Sequence, residues 1–353
     1  MRWCGVIAVA AACAPPTSVQ DVLIAQRDRG DVVAIRAHAW SLWDQLAAHD
    51  AWASWAATEQ LFQHAPKAPP RFRTPRPFAN AGALDVETLP VMFDVRFDPV
   101  AARHLAIQHL GERTVLASAP AVPAFPSDAL AVKLTWYAVK AHGLTAMPIW
   151  DGEPARERGN PDRSWQRAIA VDPERAVIPD GETAMVELAG RTSEARVVPL
   201  AQFISRELET DGEVESARLA AHDPTLARGD FVALVAAHVT TKEIPDWTWQ
   251  TYWWHDRPDA GRFAADRPTA LHGVAANYLM DATYSTDQPC FNPWLEARFP
   301  DGLASNCVTC HQRAIVGAAD YLPVTRGRMR DDDPYLAGHV QTDFLWSLAF
   351  EAR

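Results

Sequence analysis

The pentapeptide at residues 307–311 constrains this chain more than any other feature. It reads Cys-Val-Thr-Cys-His, the C-x-x-C-H pattern of covalent c-type haem attachment. Two thiols at this spacing can each add to one vinyl group of a haem, and the adjacent imidazole can then bind the iron. The polar residues just before the motif can cap a helix that places Cys307, Cys310 and His311 on one face. The motif predicts one covalently bound haem c, with His311 as the proximal iron ligand.

Two other roles for these cysteines remain open. The first is a reduced pair of cysteines packed in the protein core. The second is a zinc site made from Cys290, Cys307, Cys310 and one histidine. A cysteine and the histidine directly after it rarely both reach one tetrahedral ion, and no second C-x-x-C or H-x-x-x-H pattern lies nearby. The sequence therefore favours haem over zinc.

The N-terminus predicts export. Residues 1–4 include a basic residue, and an apolar, alanine-rich run follows up to Cys13. This run is too short to span a bilayer and is typical of a signal peptide. Residues 11–13 resemble the end of a lipobox, so Cys13 is a candidate lipid anchor; cleavage after Ala12 or an uncleaved anchor are the alternatives. Each places the protein in the periplasm or elsewhere in the cell envelope, where c-type haem is attached.

The charge of the chain excludes some partners. The 353 residues carry a formal net charge of −11, which argues against binding to nucleic acid or to anionic membrane surfaces. We expect membrane contact only through a possible lipid at Cys13. A redox partner protein with a basic patch fits an acidic carrier, although solubility alone also explains the charge. Cys290 has no obvious partner among the five cysteines, which argues against a disulfide framework.

The composition along the chain predicts four regions. They are a signal peptide or lipoprotein signal at 1–13, a tether and helical segment at 14–90, a β-rich region at 91–268 and a haem-binding segment at 269–353. We expect the last region to be mostly helical. The predicted fold class is α+β, with a central antiparallel β-sheet or sandwich between an N-terminal helical segment and a C-terminal haem-attachment segment.

Local periodicity predicts the individual elements. Apolar residues at helical spacing indicate a helix from Asp31 to about His49, and Asp98-Pro99 indicates the start of another that Gly111 ends. Apolar runs and alternation indicate strands at residues 132–139, 144–150, 167–171, 183–188, 231–239 and 247–255. We expect the second of these strands to pair back on the first, and the last two to form a hairpin. Residues 14–30 are expected to be a tether.

Seven short blocks resemble a known group of proteins. They are residues 133–136, 147–151, 238–242, 247–252, 291–296, 305–311 and 342–347. These blocks are similar to those of large bacterial monohaem proteins of the cytochrome c family, and the resemblance covers most of residues 31–350. It implies haem binding and export but no particular substrate. This group differs from the small class I cytochromes c, which carry one haem on a compact helical domain.

The residue on the far side of the iron determines what the haem does. A Met or His ligand closes the iron and favours electron transfer, whereas an open position admits small molecules. Three candidates remain open: His255 on the tryptophan-rich face of its strand, Met329 in a charged downstream loop, and His238 at the end of an apolar run. A strand histidine of this kind is more often a satisfied core residue than a ligand.

Three functions are compatible with these observations. The first is electron transfer by an exported monohaem c-type cytochrome. The second is a haem enzyme of the peroxidase or oxidase kind with an open distal site, in which His255 would be the leading acid–base group. The third is a haem-bearing module that binds a partner through its β region.

Four basic residues are candidate partners for the haem propionates, although surface solvation is the default for each. They are Arg313, Arg326, Arg328 and Lys242.

Overall fold

The computed structural model of the chain describes residues 18–62, 71–74, 90–152, 165, 167–188, 190–296, 302–318, 327–330 and 332–353. Within these residues it contains eight α-helices and eleven β-strands in two sheets. In this part of the chain, no helix is both long and apolar enough to cross a membrane. The predicted signal at 1–13, with the candidate anchor Cys13, lies outside the described residues.

The helices are mostly short, and only α2 exceeds four turns. They are α1 (Val19–Arg29), α2 (Val32–Ala47), α3 (Thr58–Phe62), α4 (Pro99–Ile107), α5 (Arg113–Ser118), α6 (Asp211–Ala221), α7 (Cys307–His311) and α8 (Trp346–Glu351). The strands are β1 (Ala56–Ala57), β2 (Val91–Phe97), β3 (Leu130–Val139), β4 (Thr145–Ile149), β5 (Arg167–Asp172), β6 (Thr183–Leu188), β7 (Arg191–Pro199), β8 (Ser205–Glu207), β9 (Phe231–Thr241), β10 (Thr248–Trp254) and β11 (Tyr278–Thr283).

The larger sheet has seven strands and is antiparallel throughout. Its order is β1-β2-β3-β9-β10-β11, and β8 pairs with the beginning of β9. Strands β9 and β10 form the predicted hairpin, with Thr248 opposite Thr241. Every residue of β10 is buried, although its side chains alternate between the two faces. The centre of this sheet is therefore covered on both sides.

Helix α2 covers one face of this sheet. Its N-cap is Asp31, whose carboxylate accepts a hydrogen bond from the backbone N–H of Ala34 at 3.1 Å. The Trp43 ring stacks on Tyr252 of β10 with centroids 4.3 Å apart, and the Tyr252 hydroxyl donates to the carbonyl of Ala39 at 2.5 Å. Aromatic stacking and a satisfied buried hydroxyl thus fix α2 on the sheet.

The smaller sheet has four strands in the order β4-β5-β7-β6, with β5 and β7 parallel. An ionic cluster joins its edge to the end of β10. The guanidinium of Arg167 contacts both carboxylate oxygens of Asp151 at 2.5 and 2.8 Å and both of Asp256 at 2.6 and 2.7 Å. The Asp256 side chain is only 2% exposed. Its charge therefore depends on Arg167 for compensation.

The predicted fold class is wrong in its C-terminal part. Region 269–353 is not a mostly helical segment, because it contributes β11 to the large sheet and its two α-helices, α7 and α8, have five and six residues. The physical reason is that β11 pairs with the aromatic strand β10, which would otherwise be an exposed and unpaired edge of the sheet. The second sheet, with its parallel pair, is also outside the predicted arrangement of one antiparallel sheet or sandwich.

Two local predictions also differ from the structure. Strand β4 pairs with β5 in the smaller sheet, whereas β3 pairs with β2 and β9, so the two do not form the expected hairpin. Part of the expected tether at 14–30 is the helix α1, which Ser18 caps and Gly30 ends with a left-handed φ of 62°. Serine is a common N-cap and glycine a common C-cap, but the polar composition of the segment led to the prediction of a tether.

We predict that Arg167→Met lowers the free energy of unfolding by about 3 kcal/mol, because it leaves the buried Asp256 without a countercharge. The matched control is Arg175→Met. Arg175 also bridges two carboxylates, those of Asp172 and Glu182, but its side chain is 44% exposed, and the buried Asp172 also accepts hydrogen bonds from the backbone N–H groups of Glu174 and Arg175. Urea unfolding at neutral pH measures both changes, and the control should lose much less, because Asp172 keeps its two backbone donors. Equal losses would contradict the dependence of Asp256 on Arg167.

Candidate haem-attachment site

The motif forms helix α7, and Asn306 organises its start. The Asn306 side-chain oxygen accepts a hydrogen bond from the backbone N–H of Thr309 at 2.9 Å, which is an N-cap. Its amide nitrogen donates to the carbonyls of Ser285 at 2.9 Å and Gln288 at 2.6 Å. One side chain therefore caps the motif and fastens the preceding loop beside it. The helix ends at His311.

The tautomer of His311 follows from its hydrogen bond. Its Nδ1 lies 2.7 Å from the carbonyl oxygen of Phe344, and because a carbonyl can only accept, Nδ1 carries the proton. Burial lowers the pKa of His311 to about 3, despite the opposing effect of this hydrogen bond. The imidazole is therefore neutral, with the lone pair of Nε2 left for a metal.

The acceptor for His311 stands on a strained turn. Asp343 and Phe344 have φ values of 46° and 68°, in the left-handed region that a bulky residue rarely adopts. Such strain persists only when the surroundings enforce it. Here the buried Lys242, in the turn between β9 and β10, contacts the Asp343 carboxylate at 2.6 Å and donates to the carbonyl of Pro245 at 2.7 Å. The sheet hairpin thus holds the carbonyl that orients the imidazole.

The other face of the large sheet forms the floor of the site. The Trp249 ring packs against the His311 ring with centroids 4.1 Å apart. In the antiparallel register, His238 lies opposite Lys133 on one side and Thr251 on the other. Residues two apart on a strand share a face, so Trp249 and Thr251 project to the same side, and His238 and Lys133 project there with them.

His238 is paired with a glutamate that covers this face. Its Nε2 lies 3.3 Å from Oε1 of Glu296, and the side chains are 21% and 24% exposed. The backbone N–H of Asn292 donates to the other Glu296 oxygen at 2.7 Å, and the Asn292 amide donates to Thr251 at 2.6 Å. Burial opposes ionisation of Glu296, but the charge and hydrogen bond of His238 lower its pKa below the usual value. The charges of His238 and Glu296 also act on the pKa of His311.

Three thiols meet at the start of α7. Cys307 and Cys310 are partly exposed, and burial raises the pKa of Cys310 to about 12. Cys290 is fully buried, and its sulfur lies 3.6 Å from that of Cys307. The Cys310 thiol therefore keeps its proton at neutral pH, and the sulfur of Cys290 contacts that of Cys307.

The three distal candidates occupy different environments. His238 shares the sheet face with the Trp249 ring that contacts His311. His255 lies at the ionic cluster: its Nδ1 accepts the backbone N–H of Arg257 at 2.9 Å, and its Nε2 lies 3.4 Å from Asp151. Both of its ring nitrogens are therefore engaged. None of the contacts described for His255 involves the motif.

Met329 packs in an apolar cluster. Its side chain is 9% exposed and lies among Ile315 and Leu336. Its loop is attached to α7, because the carbonyl of Gly327 accepts hydrogen bonds from Thr309 at 3.4 Å and Gln312 at 3.2 Å. The structure thus brings the loop to the motif while the thioether fills a hydrophobic niche.

The candidate propionate partners have other partners. Lys242 pairs with Asp343, Arg328 donates to Asp246 at 2.9 Å, and the buried Arg313 donates to the carbonyl of Thr309. Arg326 lies outside the described residues. These contacts favour structural roles for the three described residues.

The donor set fits a c-type haem better than a zinc ion. In the described parts of the chain, no group of three or more His, Cys, Asp or Glu side chains is arranged to hold a metal ion, as a zinc site would require. A c-type haem needs only two thiols for covalent attachment and one neutral imidazole, and α7 presents these at positions 307, 310 and 311. The oriented tautomer of His311 is the arrangement that metal-binding histidines commonly have.

Sequence reasoning missed two contributors to this site and identified only part of the role of a third. Glu296 carried no signal, because only the fold brings it to His238. The turn at Asp343 and Phe344 could not be identified, since its strain depends on the distant Lys242. Asn306 could be identified as a candidate cap, but its hydrogen bonds to the loop at 285–288 could not be predicted.

Comparison of the chain with protein-family models finds no match, and neither does comparison with curated proteins or with solved structures. The resemblance to large bacterial monohaem cytochromes therefore stays a prediction based on the seven sequence blocks.

We predict that His311 of the haem-free protein stays neutral, with its proton on Nδ1, from pH 8 down to pH 5. Burial causes this by lowering its pKa to about 3. Long-range ¹H–¹⁵N spectra of the ring report both the tautomer and the titration, and His311→Gln identifies the signals by their loss. A ring that titrates near pH 6.5 would contradict the buried environment.

The lowered pKa of His311 also determines how the free energy of unfolding changes with pH. The unfolded chain protonates His311 near pH 6.5, whereas the folded chain does so only near pH 3. The contribution of His311 is therefore fully present above pH 6.5 and is lost as the pH falls toward 3, by up to about 1.4 kcal/mol per pH unit. The difference between wild type and His311→Gln in unfolding experiments isolates this dependence.

Proposed function

We propose that the protein is an exported monohaem c-type cytochrome that transfers electrons. One observation carries the proposal: in a C-x-x-C-H motif, the His311 Nδ1–H is bound to the Phe344 carbonyl, which leaves Nε2 as the available donor. A reduced cysteine pair with a core histidine does not require this arrangement. Export, and a possible lipid at Cys13, belong to the same proposal, because c-type haem is attached outside the cytoplasm.

Each residue of the motif has a role in this proposal. Cys307 and Cys310 would hold the haem through thioether bonds, and His311 would bind its iron. When bound, the haem supplies reversible one-electron chemistry at the iron. Lys242 and Asp343 fix the carbonyl that orients His311, and Trp249 limits the rotation of the ring by packing against it. The partial exposure of the two cysteines is compatible with redox exchange with a partner protein.

The His238–Glu296 pair supports two versions of the function. In the electron-transfer version, His238 would bind the iron as a second protein ligand, and Glu296 would orient it as a carboxylate orients other metal-bound histidines. In the alternative version, the protein is a haem enzyme with an open iron, and the pair acts as a proton donor and acceptor. In the first version, the 3.3 Å contact through Nε2 means that ligation by His238 would use Nδ1 or would require Nε2 to leave Glu296. The third version, a partner-binding haem module, has no such observation in its favour.

We predict one covalent haem per chain when the protein is made in a host that attaches c-type haem. The pyridine haemochrome spectrum and the intact mass measure this. Replacing Cys307 and Cys310 together with serine should abolish covalent attachment, because no thioether can form. Cys290→Ser is the matched control, since this cysteine lies beside the motif but outside it, and it should keep the haem.

A wild-type protein that carries no covalent haem would contradict the proposal. Covalent haem that persists after Cys307 and Cys310 are both replaced with serine would show that the motif is not the attachment site, and loss of haem in a folded Cys290→Ser would show that attachment also requires Cys290. His311→Ala should keep the thioether bonds but lose the low-spin spectrum, since attachment and ligation are separate functions.

We predict that His238→Ala converts ferric haem from low-spin to high-spin, because it removes a strong-field ligand. The matched control is His255→Ala, which removes another histidine beside carboxylates and should leave the spectrum unchanged. Met329→Ala tests the remaining candidate in the same way. Absorption and electron paramagnetic resonance spectra at neutral pH measure the spin state.

A change caused only by Met329→Ala would replace His238 by Met329 as the ligand. Wild-type ferric haem that is already high-spin would instead favour the enzyme version. In that case His238→Ala and Glu296→Gln should each lower the rate of reaction with peroxide, since proton transfer by a positioned group contributes roughly 10²–10⁴-fold.

A further inference from the structure

A third thiol touches the attachment motif. The sulfur atoms of Cys290 and Cys307 are 3.6 Å apart, and the Cys307 thiol also lies 3.5 Å from the Cys290 carbonyl. The function proposed above uses Cys307 and Cys310 but not Cys290. Cys290 is fully buried, whereas Cys307 is partly exposed.

Two fixed connections hold this contact. The backbone N–H of Cys290 donates to the carbonyl of Ser305 at 2.9 Å, two residues before Cys307. Asn306 binds the carbonyl of Gln288 at 2.6 Å and at the same time caps α7. The loop that carries Cys290 is thus attached to the residues that start the helix, so the two sulfurs stay adjacent although 17 positions separate them in sequence.

From this geometry we infer that Cys290 and Cys307 are a redox-active pair that forms a reversible disulfide in the haem-free protein. A non-bonded sulfur contact at 3.6 Å needs a small rotation of one side chain to reach bonding distance. Cys307 is the thiol that an external oxidant reaches, and Cys290 is the one that resolves the intermediate.

The chemistry is thiol–disulfide exchange with a small disulfide such as oxidised glutathione. The Cys307 thiolate attacks one sulfur of the oxidant, forming a mixed disulfide and releasing one glutathione thiolate. Cys290 then attacks the Cys307 sulfur and releases the second glutathione. The two protein thiols lose two electrons and two protons, and the oxidant gains them as two glutathione thiols. A reduced dithiol reverses both steps.

The consequence for haem loading rests on the proposed function. A Cys307 sulfur bound to Cys290 has no thiol to add to a vinyl group, so the disulfide must open before the haem is attached. The existence of the pair does not depend on haem, because it concerns the haem-free chain alone.

The test uses the full-length chain, made without haem attachment, reduced, and then incubated in glutathione redox buffers. Free thiols are alkylated, and peptide mapping by mass spectrometry identifies each linkage. We expect the cross-link between the Cys290 and Cys307 peptides to be the main product in wild type and in Cys310→Ser, and to be absent in Cys290→Ser. Peptide mapping also separates this product from linkages of Cys4 or Cys13.

A main product linking Cys307 to Cys310, or three free thiols under oxidising conditions, would overturn the inference. Circular dichroism of each variant ensures that a missing cross-link does not reflect unfolding. The haem content of the chain made in a haem-attaching host is measured separately. Absent haem with a Cys290–Cys307 cross-link would contradict the proposed function alone, and bound haem without a cross-link in the haem-free chain would contradict this inference alone.

Discussion

The burial of the β9–β10 hairpin on both faces is the constraint on which the rest of the structure depends. An antiparallel sheet commonly leaves one face to solvent, but every residue of β10 is buried. Helix α2 covers one face through the stacking of Trp43 on Tyr252. The segment that contains Asn292 and the motif covers the other face of the sheet. The candidate site is therefore part of the protein core.

This arrangement explains why polar groups at the site are paired. A histidine in the middle of a buried strand needs hydrogen-bond partners, and His238 obtains one in Glu296. A lysine in the hairpin turn would be costly to bury alone, and Lys242 is compensated by Asp343. Each pair joins the sheet to the segment that carries or supports α7. The Lys242–Asp343 pair, which satisfies a buried charge, therefore also holds the turn whose carbonyl orients His311.

Local patterns in the sequence identified much of the secondary structure. The helix expected from Asp31 is α2, and the strands expected at 183–188 and 231–239 are β6 and most of β9. These elements carry strong periodicity and clear end signals, which depend on neighbours in sequence. Strand pairing depends instead on residues that are distant in sequence. Strand β4 pairs with β5 rather than β3, and β11 completes the large sheet from a region expected to be helical.

The same distinction applies to the candidate site. The residues of the motif could be named because their spacing is itself the chemical requirement. The Phe344 carbonyl and the carboxylate of Glu296 could not, because neither spacing nor residue type marks them and only the folded chain brings them to His311 and His238.

The strain at Phe344 shows how much the site depends on distant contacts. A left-handed bulky residue costs about 1–3 kcal/mol, so an isolated segment with the sequence of α7 and this turn would not hold it. The hairpin supplies the restoring contact through Lys242, which reaches Asp343 from about a hundred residues earlier in the chain. The buried sheet thus holds, through this contact, the carbonyl that orients the imidazole of His311. The large β region, which the proposed electron transfer alone would not require, therefore has a physical role at the candidate site.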